Sequence, residues 1–144
     1  MKLKFRVSPI YIKQLNKEIT NQGVQRVKKI SKQFLIKYIE EIDKIVKMLP
    51  KITGKKWPVE NGNEIEVYFV DWKGPSFSHP VTLKIREDLL LMLAVLTHEL
   101  GHHLVSLKTK EGQKRINDIV KKTFEKLKIN AEKQIELIRK WSEK

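Results

Sequence analysis

The chain has 144 residues and no Cys, which fits one domain with its own core and excludes disulfides and thiolate metal ligands. No apolar run approaches the ~18–20 residues that span a bilayer, and no signal-peptide core follows the basic N-terminus, so the chain is expected to be soluble and cytoplasmic. The 30 Lys and Arg against 17 Asp and Glu leave a net charge of +13, which draws attention to anionic partners.

Lys2–Val7 alternates, with Leu3, Phe5 and Val7 on one side, and predicts a short half-buried strand. Ser8-Pro9 reads as a helix start, with Ser8 as N-cap and Pro9 at the first helical position. Ile12, Leu15 and Ile19 would line its inner face, and Asn21-Gln22-Gly23 would end it. A long amphipathic helix is expected from Val24 to Leu49, because Val27, Ile30, Phe34, Tyr38, Ile42, Ile45 and Leu49 recur at spacings of three and four. Pro50 would stop it. Lys51–Asn63 reads as a basic loop, with Trp57 as a packing anchor.

Glu64–Trp72 is the clearest strand, with Ile65, Val67 and Phe69 on one face and Glu64, Glu66 and Tyr68 on the other. A loop follows through Ser76-Phe77-Ser78-His79-Pro80, then a second strand over Val81–Ile85. Arg86-Glu87-Asp88 leads into an apolar helix from about Glu87 to Leu107, with acids in its first turn. After a turn at Lys108–Gly112, helices are expected over Gln113–Leu127 and Ala131–Ser142. The lysines are spread along these segments with few aromatics among them, so nucleic-acid binding is not the favoured reading of the charge.

The apolar helix carries His98-Glu99-Leu100-Gly101-His102, a His-Glu-x-x-His pattern. On a helix His98 and His102 stand at i and i+4, one above the other on one face. Two imidazoles so placed can bind one zinc ion. Glu99 can then reach a water on that metal, whose pKa falls to about 7, and take its proton as the water attacks a carbonyl.

A strand leading through Arg86-Glu87-Asp88 into an apolar helix that ends in this motif resembles the catalytic half of a zincin metallopeptidase. In size and element order the chain is most similar to the minigluzincins, short relatives of the gluzincin peptidases, over roughly Glu64 to the C-terminus. The resemblance implies that His98 and His102 bind Zn2+, that Glu99 is the general base, and that a third protein ligand comes from a downstream helix. Minigluzincins are expected to use a histidine there, but none follows His103, and the metzincin extension after His102 is absent. A carboxylate must then serve, as in gluzincins proper, or the site is incomplete. The candidates are Glu111, Asp118, Glu125, Glu132 and Glu136. Asp118 and Glu125 fall opposite the apolar stripe of their helix. Glu132, in the first turn of the last helix, is preferred, ahead of Glu125 and Glu111. Its competing role is to complement the helix dipole. His103 points about 100° from His102 and reads as a supporting or surface residue. His79 and Tyr68 are weaker candidates for polarising a substrate carbonyl.

These readings describe a single α+β domain over residues 1–144, zincin-like, with a short sheet backed by a long helix, an active helix and C-terminal helices. The expected function is zinc-dependent hydrolysis of a peptide or protein substrate, with an extended peptide pairing to a strand edge near Ser76–Ile85. The rivals are a repressor-cleaving peptidase of the ImmA/IrrE type, which the Gly101 form of the motif also resembles, and a basic nucleic-acid-binding protein whose metal site is structural or vestigial.

Overall fold

The structure, a computed structural model, describes residues 1–58, 63–106 and 109–144. Its elements run β1 (Lys2–Arg6), α1 (Pro9–Leu15), α2 (Asn21–Thr53), β2 (Glu64–Val70), β3 (Phe77–Ser78), β4 (Val81–Lys84), α3 (Leu89–Leu104), α4 (Lys110–Lys126) and α5 (Glu132–Ser142). The fold is α+β with a small mixed sheet. Strand order is β1-β2-β4-β3, with β1, β2 and β4 parallel and the two-residue β3 antiparallel on the outer edge of β4. No described helix is long and apolar enough to cross a membrane.

The pleat divides the sheet's side chains between two layers. Phe69 stacks on Phe5 and meets Phe34 of α2 edge-on, on the face that α2 backs. On the other face α1 lays Tyr11 flat on Tyr68, and the Tyr11 hydroxyl lies 2.6 Å from Thr82 Oγ1 on β4. Tyr68 donates to Glu66 Oε2 at 2.6 Å, so its hydroxyl is engaged on the sheet surface. One continuous core joins α1, α2, β2, β4, α3, α4 and α5.

Several boundaries differ from expectation, each for a local reason. Ser8 does cap α1, accepting from Tyr11 N, but the helix ends at Leu15. Asn21-Gln22-Gly23 does not close α1; it is the first turn of α2, because the Thr20 hydroxyl accepts from Gly23 N and starts a new helix. Pro50 does not stop α2 either. The helix continues to Thr53 and ends on Gly54 in the left-handed conformation, φ 68°. An interior proline costs about 3 kcal/mol, and part of that is the orphaned carbonyl four residues back, worth ~1–3 kcal/mol when buried. That carbonyl belongs to Val46, and Trp57 Nε1 donates to it at 3.1 Å. Trp57 thus replaces the N–H that Pro50 lacks.

Further along, β2 ends at Val70 and β4 at Lys84, each short of the expected end, and Phe77–Ser78 form a strand where a loop was expected. Glu87 and Asp88 do not lie inside α3. Asp88 is its N-cap, accepting from Leu91 N at 3.1 Å, and the helix begins at Leu89. At its other end α3 stops at Leu104; Leu107 and Lys108, expected in the helix and the next turn, lie outside the described residues. The start of α4 moves forward from Gln113 to Lys110, because Thr109 accepts from Gly112 N as N-cap.

Candidate metal centre

Helix α3 is apolar nearly all round, and such a helix belongs inside. Every residue from Leu91 to His102 is buried. That places His98, Glu99 and His102 at 4%, 8% and 4% exposure, where a carboxylate is rarely found without a specific partner or task. Gly101 sets how closely α4 approaches. A Cβ there would lie 3.1 Å from Ile116 Cγ2, so the two helices meet with little room for a side chain between them. The close crossing carries Gln113 and Asn117 of α4, one turn apart on one face, against the two histidines.

The ring nitrogens converge. His98 Nε2 and His102 Nε2 are 3.3 Å apart, and Gln113 Oε1 lies 2.9 Å from the first and 3.2 Å from the second. Glu99 Oε1 is 3.9 Å from His98 Nε2. Among the described residues, His98, Glu99 and His102 are a group of His and acidic residues whose ligand atoms all lie within 4.8 Å of one another. Two imidazole nitrogens at zinc bond lengths of 2.0–2.1 Å and a tetrahedral angle would stand about 3.3–3.4 Å apart. The observed spacing fits that requirement, so the group can hold a metal ion.

His98 is fixed from behind. Its Nδ1 lies 2.7 Å from Asn117 Oδ1, and Asn117 Nδ2 donates to Glu143 Oε2 at 2.7 Å and Ser142 Oγ at 2.9 Å. A carboxylate only accepts, so the amide nitrogen must face Glu143 and the amide oxygen must face His98. His98 therefore carries its hydrogen on Nδ1 and presents a lone pair at Nε2. Burial holds its pKa below the ordinary histidine value, while Asn117, Gln113 and the Glu143 charge pull the other way. A neutral ring with its second nitrogen anchored is the form in which histidine binds metals.

His98, Glu99 and Gln113 line a cavity of about 250 Å³ together with Pro75, Ser76, Arg86, Val95, Ile138, Trp141 and Ser142. The Arg86 guanidinium lies 4.7 Å from the centre of the Trp141 ring, and burial lowers its pKa. Its Nε has no hydrogen-bond partner among the described residues. A cation thus stands in the wall of the cleft.

Glu132, the expected third ligand, is not brought to this site. It is exposed on the first turn of α5, in a separate groove with Phe124, Ile129 and Ile135. Two residues on, Gln134 bonds Asp88 at the start of α3, and ten residues of helix put that about 15 Å from His98. The α5 helix passes His98 and Glu99 with its last turn rather than its first. Glu111 and Glu125 are exposed, and Asp118 and Glu136 face Arg139 at 2.7 and 3.8 Å. His103 donates from Nε2 to Ser78 O at 2.6 Å and stacks on His79 with ring centroids 4.2 Å apart, so the pair ties β3 to α3. Neither lines the cleft that holds His98 and Glu99.

Gln113, Asn117 and Arg86 were not among the candidates. The available signal was Thr109, a cap residue followed three positions later by Gly112, which starts α4 early enough to place Gln113 and Asn117 on one helical face. Comparison with protein-family models, with curated proteins and with solved structures finds no match to this chain.

Proposed function

We propose that this protein is a zincin-like zinc metallopeptidase, related in kind to the gluzincins, that hydrolyses peptide bonds in the cleft between α3, α5 and the β3 edge. The observation that carries the reading is the 3.3 Å approach of His98 Nε2 and His102 Nε2 beside a buried Glu99 carboxylate 3.9 Å away. A purely structural role for two histidines would not call for a buried acid at their side, opening on a cavity.

His98 and His102 would hold the metal. Zinc, when bound, supplies Lewis acidity, polarising a carbonyl and bringing the pKa of water to about 7. Glu99 accepts a proton from the attacking water and passes it to the leaving amine as the C–N bond breaks. Asn117 keeps the His98 ring oriented through Nδ1. Ile138 and Trp141 of α5 form one wall of the cleft, and Arg86 offers it a positive charge that an anionic group of the substrate would meet. An extended peptide would lie along the β3 edge beside Pro75 and Ser76.

The test is Glu99→Gln, assayed against a peptide library with zinc content measured in parallel. The expected result is a loss of hydrolysis of at least ~10²-fold, the scale of general-base catalysis, with zinc retained. Hydrolysis undiminished in that variant would sink the proposal.

A further inference from the structure

We propose that Gln113 is a metal ligand through its side-chain oxygen, so that the protein holds its ion with three neutral donors, His98, His102 and Gln113. The inference rests on the reading of the two histidines as metal ligands and adds the residue that completes the set.

Glu143 fixes the orientation of the Asn117 amide, and Asn117 Oδ1 fixes the hydrogen of neutral His98 on Nδ1. His98 Nε2 is then an acceptor. Gln113 Oε1, also an acceptor, stands 2.9 Å from it and 3.2 Å from His102 Nε2. With the 3.3 Å between the two nitrogens, these distances close a triangle. The lone pairs of His98 Nε2 and Gln113 Oε1, 2.9 Å apart, repel unless a cation lies between them. Three donors at zinc bond lengths in tetrahedral array stand about 3.3 Å apart on every edge; the two edges at His102, 3.2 and 3.3 Å, have that length, and the His98–Gln113 edge is shorter at 2.9 Å. Gln113 reaches the site from α4 by the Thr109 cap and the close crossing at Gly101, while the neighbouring Glu99 carboxylate stands farther off, 3.9 Å from His98 Nε2.

The alternative for the same triangle is an amide turned over, with Nε2 donating to both imidazoles and no part in metal binding. The two arrangements differ in what substitution does. An amide oxygen brings a dipole where a carboxylate would bring a full charge, so the ion keeps more of its own charge. Gln113→Glu then places an anion against the metal at almost unchanged size.

The experiment is competition for zinc against a chromophoric chelator, with wild type, His98→Ala, Gln113→Ala and Gln113→Glu, and with the cobalt(II) absorption spectrum as second readout. Gln113→Ala is expected to weaken zinc binding by at least the ~10–100-fold that loss of an outer partner costs, and to change the cobalt spectrum. Gln113→Glu is expected to tighten binding by roughly tenfold or more. If wild type binds zinc, His98→Ala does not, and Gln113→Ala binds as wild type, Gln113 is only a hydrogen-bonded neighbour; the metal reading then stands and this inference falls. If wild type takes up no zinc, both fall. Should Gln113→Ala not fold, a folded Gln113→Glu with affinity no higher than wild type overturns the inference.

Discussion

His98 is buried with its proton on Nδ1, and that state has a titration consequence. Burial holds its pKa below the ordinary value near 6.5. The unfolded chain therefore binds a proton at this residue more readily than the folded one. The stabilisation is complete above about pH 6.5 and is lost as pH falls through the folded-state value. Metal-free protein is expected to show a melting temperature that declines from pH 7.5 to 5.5, and His98→Gln is expected to flatten that decline. A decline of equal steepness in the variant would assign the effect to other groups. The same residue shows what spacing alone can establish. His98, Glu99 and His102 were legible because i and i+4 on any helix share a face. Gln113 was not, because an uncharged amide does not stand out among the carboxylates considered for the third position. Glu132 drew attention by its place after a helix break, yet which end of α5 reaches the His98–Glu99–His102 group is a property of packing.

Helices α2 and α4 show the same division one level up. The long apolar stripe of α2 was readable from Val27 to Leu49, and Val27, Ile30, Phe34, Ile42, Ile45 and Leu49 are buried as expected, while Tyr38 is only partly buried. Its continuation past Pro50 was not, because the compensation comes from Trp57, whose indole returns across eleven residues to the Val46 carbonyl. Trp57→Phe is expected to destabilise the protein by about 1–3 kcal/mol, the cost of an orphaned buried acceptor, measured by denaturant unfolding. In a Pro50→Ala background, where an N–H is restored at position 50, the same change is expected to cost distinctly less; equal costs in the two backgrounds would contradict the pairing. The crossing of α3 on α4 depends on Gly101, with 3.1 Å to Ile116 Cγ2 from the position a Cβ would take. Gly101→Val is expected to cost about 1–3 kcal/mol through overpacking and to weaken zinc binding by moving Gln113 and Asn117. Unchanged stability and zinc affinity in that variant would mean the crossing has slack.

Across the whole molecule, the sheet, α2 and the apolar α3 form one scaffold whose core continues into α4 and α5. The α+β class was readable from strand alternation and helical periodicity. The parallel pairing of β1 with β2 was not, since nothing local in Lys2–Arg6 names its partner. The centre of the account is the buried group on α3, which draws its surroundings from α4 and from the end of α5. Zinc per chain by elemental analysis, on untagged wild type and on His98→Ala, tests it most directly. The account predicts about one zinc per wild-type chain, lost in the variant. No zinc in wild type after reconstitution, or equal zinc in both proteins, would contradict it.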